Sequence, residues 1–264
     1  MLNKFIFLII DLYQKVYFFD LDQIINFSTF LVVGDRIIMM KEFFKNKIFI
    51  DEIPLKFFGM QIGTRMTIIR LKNDKLFLHS PTKINPKLIE EIDNLGKVSF
   101  IIAPNKLHHL FLNSYIKQYP NAIFYATSGL VKKRKDIFFN ETLQDQPSKE
   151  WNDELDQMIF KGCAFMEEVF FFHKASKTLI VTDFMQSMHV HHNFVERIVG
   201  QIGGIYNNPS PPRDLRLMFF LDRKNTRQSI QRVNQWDFDK IILSHGKLIT
   251  KNAKEVFNNA FKSF

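Results

Sequence analysis

The chain carries a single cysteine, Cys163, in 264 residues. One thiol can form neither an internal disulfide nor a thiolate metal cluster, so the fold must be held by its core, and this usage suits a reducing compartment. A membrane span is missing too. The apolar run Phe5–Ile10, within MLNKFIFLIIDLYQKVYFF, stops at Asp11, far short of the ~20 residues that a span needs. It is also short for the core of a secretory signal, and no small-residue cleavage site follows. A cytoplasmic protein is expected. A targeting or amphipathic role for residues 1–45 stays open, with Met39 and Met40 as alternative starts.

No proline- or glycine-rich linker splits the chain, and no internal repeat recurs. The expected organisation is an N-terminal segment, 1–45, followed by one domain, 46–264. A nucleic-acid signature is also lacking. The net charge is +9 and the pI about 9.5, which permits anionic partners such as nucleic acid, phosphates or a membrane surface. The cations are scattered, however. Their densest cluster, Lys132-Lys133-Arg134-Lys135, has no interleaved aromatics and reads as a solvated loop.

What the chain does have is core material. It is 46% hydrophobic and 24% charged, enough to bury a proper interior. The 30 phenylalanines, with abundant Lys, Ile and Asn, read as the drift of an AT-rich genome. RMTIIRL and KLFLHS form a hairpin around Lys72-Asn73-Asp74. NPKLIEEIDNLG carries Leu88, Ile92 and Leu95 at helical spacing and closes on Gly96. VSFIIAP is a continuous apolar run, hence a strand covered on both faces. HLFLNSYIKQYP reads as a helix ended by Pro120, and AIFYAT as the next strand. Residues 140–155 are polar and read as loop or short helix. EEVFFFHKASKTLIVTDF gives two strands around Lys174-Ala175-Ser176. NFVERIVGQIGG is helical, NPSPPRD a proline-rich loop, TRQSIQRVNQW helical, DKIILSHG a strand, and 251–263 a final helix. Strands alternating with helices, with hairpins interspersed, predict a layered α/β sandwich with helices outside.

Three strands end in ligand-capable residues. SFIIAP leads to His108-His109, TLIVTD ends in Asp183, and KIILSH ends in His245. Strand ends at one sheet edge deliver side chains onto a rigid rim, and imidazoles with a carboxylate suit zinc or iron. Each residue alone has a plainer reading: Asp183 as a helix cap, His245 as a turn residue before glycine, and the His pair as the first turn of a helix.

Their order, His pair, then Asp, then His-Gly, resembles the metallo-β-lactamase superfamily. More narrowly, RMTIIRL…LFLHSP, IIAPNKLHHLF and LIVTDF resemble a branch of unknown function (DUF4336) with the signature Ala-Pro-Asn-x-x-His-His. The resemblance covers roughly residues 50–250. It implies a four-layer αββα sandwich. It matches Asp183 to the metal-bridging aspartate, His245 to the last ligand and His109 to the histidine of an Asp-His pair, with His108 standing in for the aspartate. Two loop histidines of the superfamily would fall at Pro104 and Lys106, and its mid-chain histidine near Gly162-Cys163-Ala164. None is present, so one of the two usual metal sites lacks its ligands.

The implied site is mononuclear, with His108, His109, Asp183 and His245 as ligands, zinc or iron as the metal, and Asp183 and His108 as the catalytic residues of a metal-dependent hydrolase. Its small-molecule substrate and oligomeric state are unspecified. The alternative is a protein of this fold that binds or scaffolds without catalysis. His79 and Asn105 are candidate supporting residues near the rim. His189, His191 and His192 read as a solvated loop, His173 as structural, and Cys163 as an improbable ligand.

Overall fold

The computed structural model describes residues 31–33, 40–57, 60–188 and 194–264. In chain order the elements are β1 Leu31–Val33, β2 Lys41–Phe44, β3 Ile48–Ile53, β4 Leu55–Phe57, β5 Met60–Gln61, β6 Thr64–Arg70, β7 Lys75–His79, α1 Pro86–Leu95, β8 Lys97–Ala103, α2 Leu112–Gln118, β9 Ile123–Ala126, α3 Ser128–Lys133, β10 Glu141–Thr142, β11 Leu155–Phe160, β12 Glu168–His173, β13 Thr178–Val181, α4 Phe194–Gly203, α5 Arg213–Leu221, α6 Arg223–Gln235, β14 Lys240–Leu243 and α7 Ala253–Ala260.

Side chains along a strand alternate between two faces, and here both faces of the central strands are apolar. In β12, Val169 and Phe171 enter one buried cluster while Phe170 and Phe172 enter another. Such strands need cover on both sides, and the architecture supplies it. A seven-stranded sheet, ordered β10-β9-β8-β7-β6-β3-β2, lies against a four-stranded sheet, ordered β11-β12-β13-β14. The cluster between them holds Phe77, Phe100, Trp151, Phe171, Ile180 and Ile242. Leu88, Ile92, Leu112 and Tyr115 of α1 and α2 cover the outside of the large sheet. Leu215, Phe219, Val233 and Phe257 of α5, α6 and α7 cover the outside of the small one. The result is the expected four-layer αββα sandwich. A third, three-stranded sheet, β1-β4-β5, is separate in its pairing.

Local chemistry sets several element ends. Asn85 accepts the Leu88 amide at 2.9 Å and caps α1, with Pro86 in the first turn, as N-termini favour. The β6–β7 hairpin turns where expected, with Asn73 and Asp74 at positive φ. β7, β8, β9 and β10 run parallel, joined through α1, α2 and α3.

Some elements differ from the sequence reading. Residues 140–155 contain the short strand β10, which pairs with β9, and β11 begins at the end of that stretch. α5 starts in the last two residues of the proline-rich stretch and runs on through residues that the sequence reading left unassigned. β2 joins the large sheet beside β3, so that sheet draws on residues 41–44. Among the described residues no helix is long and apolar enough to cross a membrane.

Candidate metal centre

The site is built where the two sheets meet. β13 and β14 are parallel neighbours with Val181 opposite Leu243. Two residues beyond that pair, on each strand, stand Asp183 and His245. Equal offsets from a shared register put the two side chains side by side. The third residue, His108, comes from the other sheet, on the loop after β8. That loop is tied across the gap: Val169 donates its amide to the Pro104 carbonyl at 2.9 Å, and Asn105 forms a bridge with Glu168.

His108 Nε2 lies 3.1 Å from Asp183 Oδ2, and His245 Nε2 lies 3.4 Å from Asp183 Oδ1. The two imidazole centroids are 5.3 Å apart. One ligand-capable atom from each of His108, Asp183 and His245 falls within 4.8 Å of the others. The far side of each ring is held. His245 Nδ1 donates to the Gly63 carbonyl at 2.7 Å; a carbonyl only accepts, so the Nε2 of a neutral ring keeps its lone pair for the centre. His108 Nδ1 pairs with Ser80 Oγ, which sits at the positive-φ turn ending β7. Pinning the outer nitrogen to orient the inner one is how metal-binding histidines are set.

Asp183 is buried, which by itself raises a carboxyl pKa. The His108 imidazole, assisted by His245, outweighs this and holds the Asp183 carboxyl well below the usual range. Gln186 Nε2 adds a donor to Oδ1 at 3.1 Å.

Asn105 connects the parts. Its Oδ1 accepts the amides of Leu107 at 2.8 Å and His108 at 3.1 Å, shaping the histidine loop. Its Nδ2 donates to Asp183 Oδ2 at 2.7 Å and Thr182 Oγ1 at 2.9 Å, with Glu168 Oε2 further off at 3.3 Å. Glu168 was not anticipated. Its fully buried carboxylate accepts the amides of Thr182, Asp183 and Phe184 at 2.6, 2.8 and 2.9 Å, holding the turn that presents Asp183. Burial, and then the neighbouring Asp183 charge, push its pKa up to about 7 despite those donors. Arg65, also unanticipated, reaches from β6 under the His245 loop. It donates to the Leu243 carbonyl and, at 2.7 Å, to the Gly246 carbonyl, and pairs with Glu52 at 2.8 Å.

Residues 45–200, more than half of the chain, match the family model described as a domain of unknown function (DUF4336). This chain belongs to the DUF4336 family. Solved structures give the same fold with low identity. The DIM-1 metallo-β-lactamase exposed to ceftazidime is 13% identical over 88% of this chain and 99% of its own, with a TM-score of 0.60. The metallo-β-lactamase from Pontibacter korlensis is 12% identical over 84% and 99%, with a TM-score of 0.55. A putative diflavin flavoprotein from Nostoc sp. PCC 7120 is 10% identical over 87% and 97%, with a TM-score of 0.60. No curated protein matches the sequence.

The DUF4336 chain does not bring His109 to the centre, although the resemblance matched His109 to a ligand. Its ring turns the other way, with Arg134 Nη1 2.7 Å from Nδ1 and Lys133 Nζ 3.2 Å from Nε2. Successive residues in the tight turn 107–112 splay to opposite sides, and the Asn105 bond to the His108 amide selects His108 for the centre. Burial, then Lys133 and Arg134, push the His109 pKa down to about 3, leaving it neutral. The Lys132–Lys135 cluster is therefore only partly a solvated loop, since Arg134 is buried against His109 and Asp136.

His79 is fully buried between the sheets, edge-on to Phe171 at 5.4 Å, and neither ring nitrogen has a hydrogen-bond partner. It donates nothing to the three converging residues. Burial, and then the nearness of the His108 imidazole, push its pKa down to about 3. His173 pairs with Ser176 Oγ at 2.7 Å, a structural contact. Cys163 is half-buried at the edge of the outer core, and burial raises its pKa. His189, His191 and His192 lie outside the described residues.

Proposed function

We propose that His108, Asp183 and His245 hold one divalent metal ion, zinc or iron, and that this DUF4336 protein is a metal-dependent hydrolase of a small-molecule substrate. One observation carries the reading. Two imidazoles from opposite sheets aim Nε2 at the same buried carboxylate, each with its Nδ1 already engaged. The donor set fits: two nitrogens and a carboxylate are the borderline ligands that zinc and iron favour, and three protein ligands leave a position for water. A bound metal supplies an activated water near neutral pH and polarises a substrate oxygen.

The chain's own residues supply the rest. Asp183, kept ionised by its neighbours, is both ligand and the carboxylate placed to accept a proton. Gly63 and Ser80 orient the imidazoles. Asn105 and Glu168 hold the two loops in register. Beside His245 lies a cavity of about 170 Å³ lined by Gln61, Ile62, Gly63, Gln186, Met188 and Ile205 among others, large enough for a small substrate group.

Metal analysis of the purified protein tests the first claim. The expected result is about one equivalent, lost in His108→Ala and in His245→Ala, and retained in His109→Ala. Equal metal content in all four proteins would refute it. A screen of ester, thioester, lactone and phosphodiester substrates, each with and without chelator, tests the second.

A non-catalytic binding or scaffolding role has its own support. The other carboxylate beside the centre, Glu168, is taken up by backbone amides, so Asp183 has to act as both ligand and base. Metal binding with no turnover on any of those substrates would favour that role.

A further inference from the structure

Seven large hydrophobic residues are exposed among the described residues, and five of them sit on α4 and α5. These two helices pack against each other. α5 sends Leu215 and Phe219 into the outer core, but Leu217, Phe220 and Leu221 are 56%, 57% and 73% exposed. On α4, Ile198 and Ile202, one turn apart, are exposed as well. Single exposed apolar residues need no explanation, but a cluster of large ones marks an interaction surface.

The segment that carries these residues is rich in cations. Residues 194–227 hold six Arg or Lys against three Asp or Glu. Arg213, Arg223, Lys224 and Arg227 are all exposed. The Arg223 guanidinium stands 5.5 Å over the Phe220 ring, so charge and apolar surface adjoin. Asp222 is turned inward, accepting from the Asn225 amide at 3.4 Å and Nδ2 at 2.8 Å as the cap of α6. Leucine, isoleucine and phenylalanine at the centre with arginine and lysine around them is the pattern of a helix face lying in a lipid interface: apolar side chains reach the acyl boundary and cations meet the phosphates. The cluster contains no exposed Tyr or Trp, the aromatics that enrich protein interfaces.

We infer that the α4–α5 face docks peripherally on an anionic lipid surface. The net charge of +9 favours the same partner over long range. Docking there would also place lipid close to the cavity beside His245, because Ile205, between the two helices, is one of its walls.

Sedimentation of the full chain with vesicles tests this independently of any metal chemistry. Vesicles of phosphatidylcholine alone are compared with vesicles containing about one-third phosphatidylserine, at low and high salt. Expected is binding on the order of tenfold stronger to the anionic vesicles, and weakened by salt. Phe220→Ser/Leu221→Ser and Arg223→Glu/Lys224→Glu should each weaken it severalfold. These side chains are exposed, so unfolding midpoints should stay close to the parent's and report that both variants fold. No vesicle binding would overturn the inference, as would binding that both variants leave intact, which would place the contact elsewhere, as on residues 1–30. A dimer by light scattering that Phe220→Ser/Leu221→Ser dissolves, without vesicle binding, would assign the face to a second copy instead.

Discussion

Arg65 offers the sharpest test of how the site is held. Its side chain is 7% exposed and its guanidinium serves three acceptors: the carbonyls of Leu243 and Gly246, which flank His245, and Glu52, whose side chain is one-third exposed. Burial lowers its pKa, opposed by Glu52, but an arginine stays charged throughout the accessible range. Arg65→Met keeps the apolar stem and deletes every donor. Charge-assisted bonds of this kind contribute about 1.5–3 kcal/mol each, and breaking a buried pair costs about 3–5 kcal/mol. Glu52 is partly hydrated and keeps some solvation after the loss, so the lower end applies and about 3 kcal/mol is expected. Arg65→Lys should fall between, since one ammonium cannot span three separated acceptors. The His245 loop should also lose definition, weakening metal binding about 10–100-fold, the usual effect of losing a group that orients ligands. Urea unfolding and a metal titration on the same samples give both quantities. An Arg65→Met protein within about 0.5 kcal/mol of the parent, a change typical of ordinary surface substitutions, and with unchanged metal affinity would refute the clamp.

Two other buried groups give predictions of different form. Asn105→Asp keeps the acceptor for the Leu107 and His108 amides but aims a carboxylate at Asp183 and Glu168. The repulsion should cost more stability at pH 7 than at pH 5, where Glu168, with its pKa pushed up to about 7, carries a proton. Asn105→Ala should lose stability with no such pH dependence, and urea unfolding at the two pH values separates them. His79 has a folded pKa of about 3 against an ordinary 6.5. The native state therefore binds fewer protons than the unfolded one between those values, and this residue's share of stability is present above about pH 6.5 and lost as pH falls towards 3. His79→Phe should be near neutral at pH 7, because no hydrogen bond is broken, and should flatten the acid limb below pH 6. A strong loss at pH 7 would mean that the imidazole has a partner after all.

The layered fold was legible because continuous apolar runs such as SFIIAP and KIILSH can only be strands covered on both faces, and the strand-end positions of Asp183 and His245 followed from where those runs stop. The choice between His108 and His109 was not legible. It depends on the hand of one tight turn, set by a side-chain bond from Asn105 three residues earlier. Glu168 and Arg65 were hidden because their partners lie at 182–184 and 243–246, distances that no local pattern encodes. A charged residue heading the otherwise apolar EVFFF was the one available signal for Glu168. α5 escaped notice because LRLMFFL is apolar on its buried side, Leu215 and Phe219, and on its exposed side, Leu217, Phe220 and Leu221, alike, which blurs the helical period.

The division of the site between two sheets has a mechanical consequence. Asp183 and His245 belong to parallel neighbours of one sheet, so their separation is set by a backbone register and resists deformation. His108 belongs to the other sheet, so its distance from them depends on how the layers sit across the Phe77–Phe171–Trp151 core. Asn105 and Arg65 are polar ties across that same boundary at the site's end. An ion bound to all three residues would be a further tie, one that only the native state offers. At a hundred times its dissociation constant it would stabilise the fold by about 2.7 kcal/mol, and the effect would concentrate in the contact between the sheets. Loosening that contact should in turn weaken metal binding even at residues far from the ligands, since by linkage the ion and the packed sheets favour the same state.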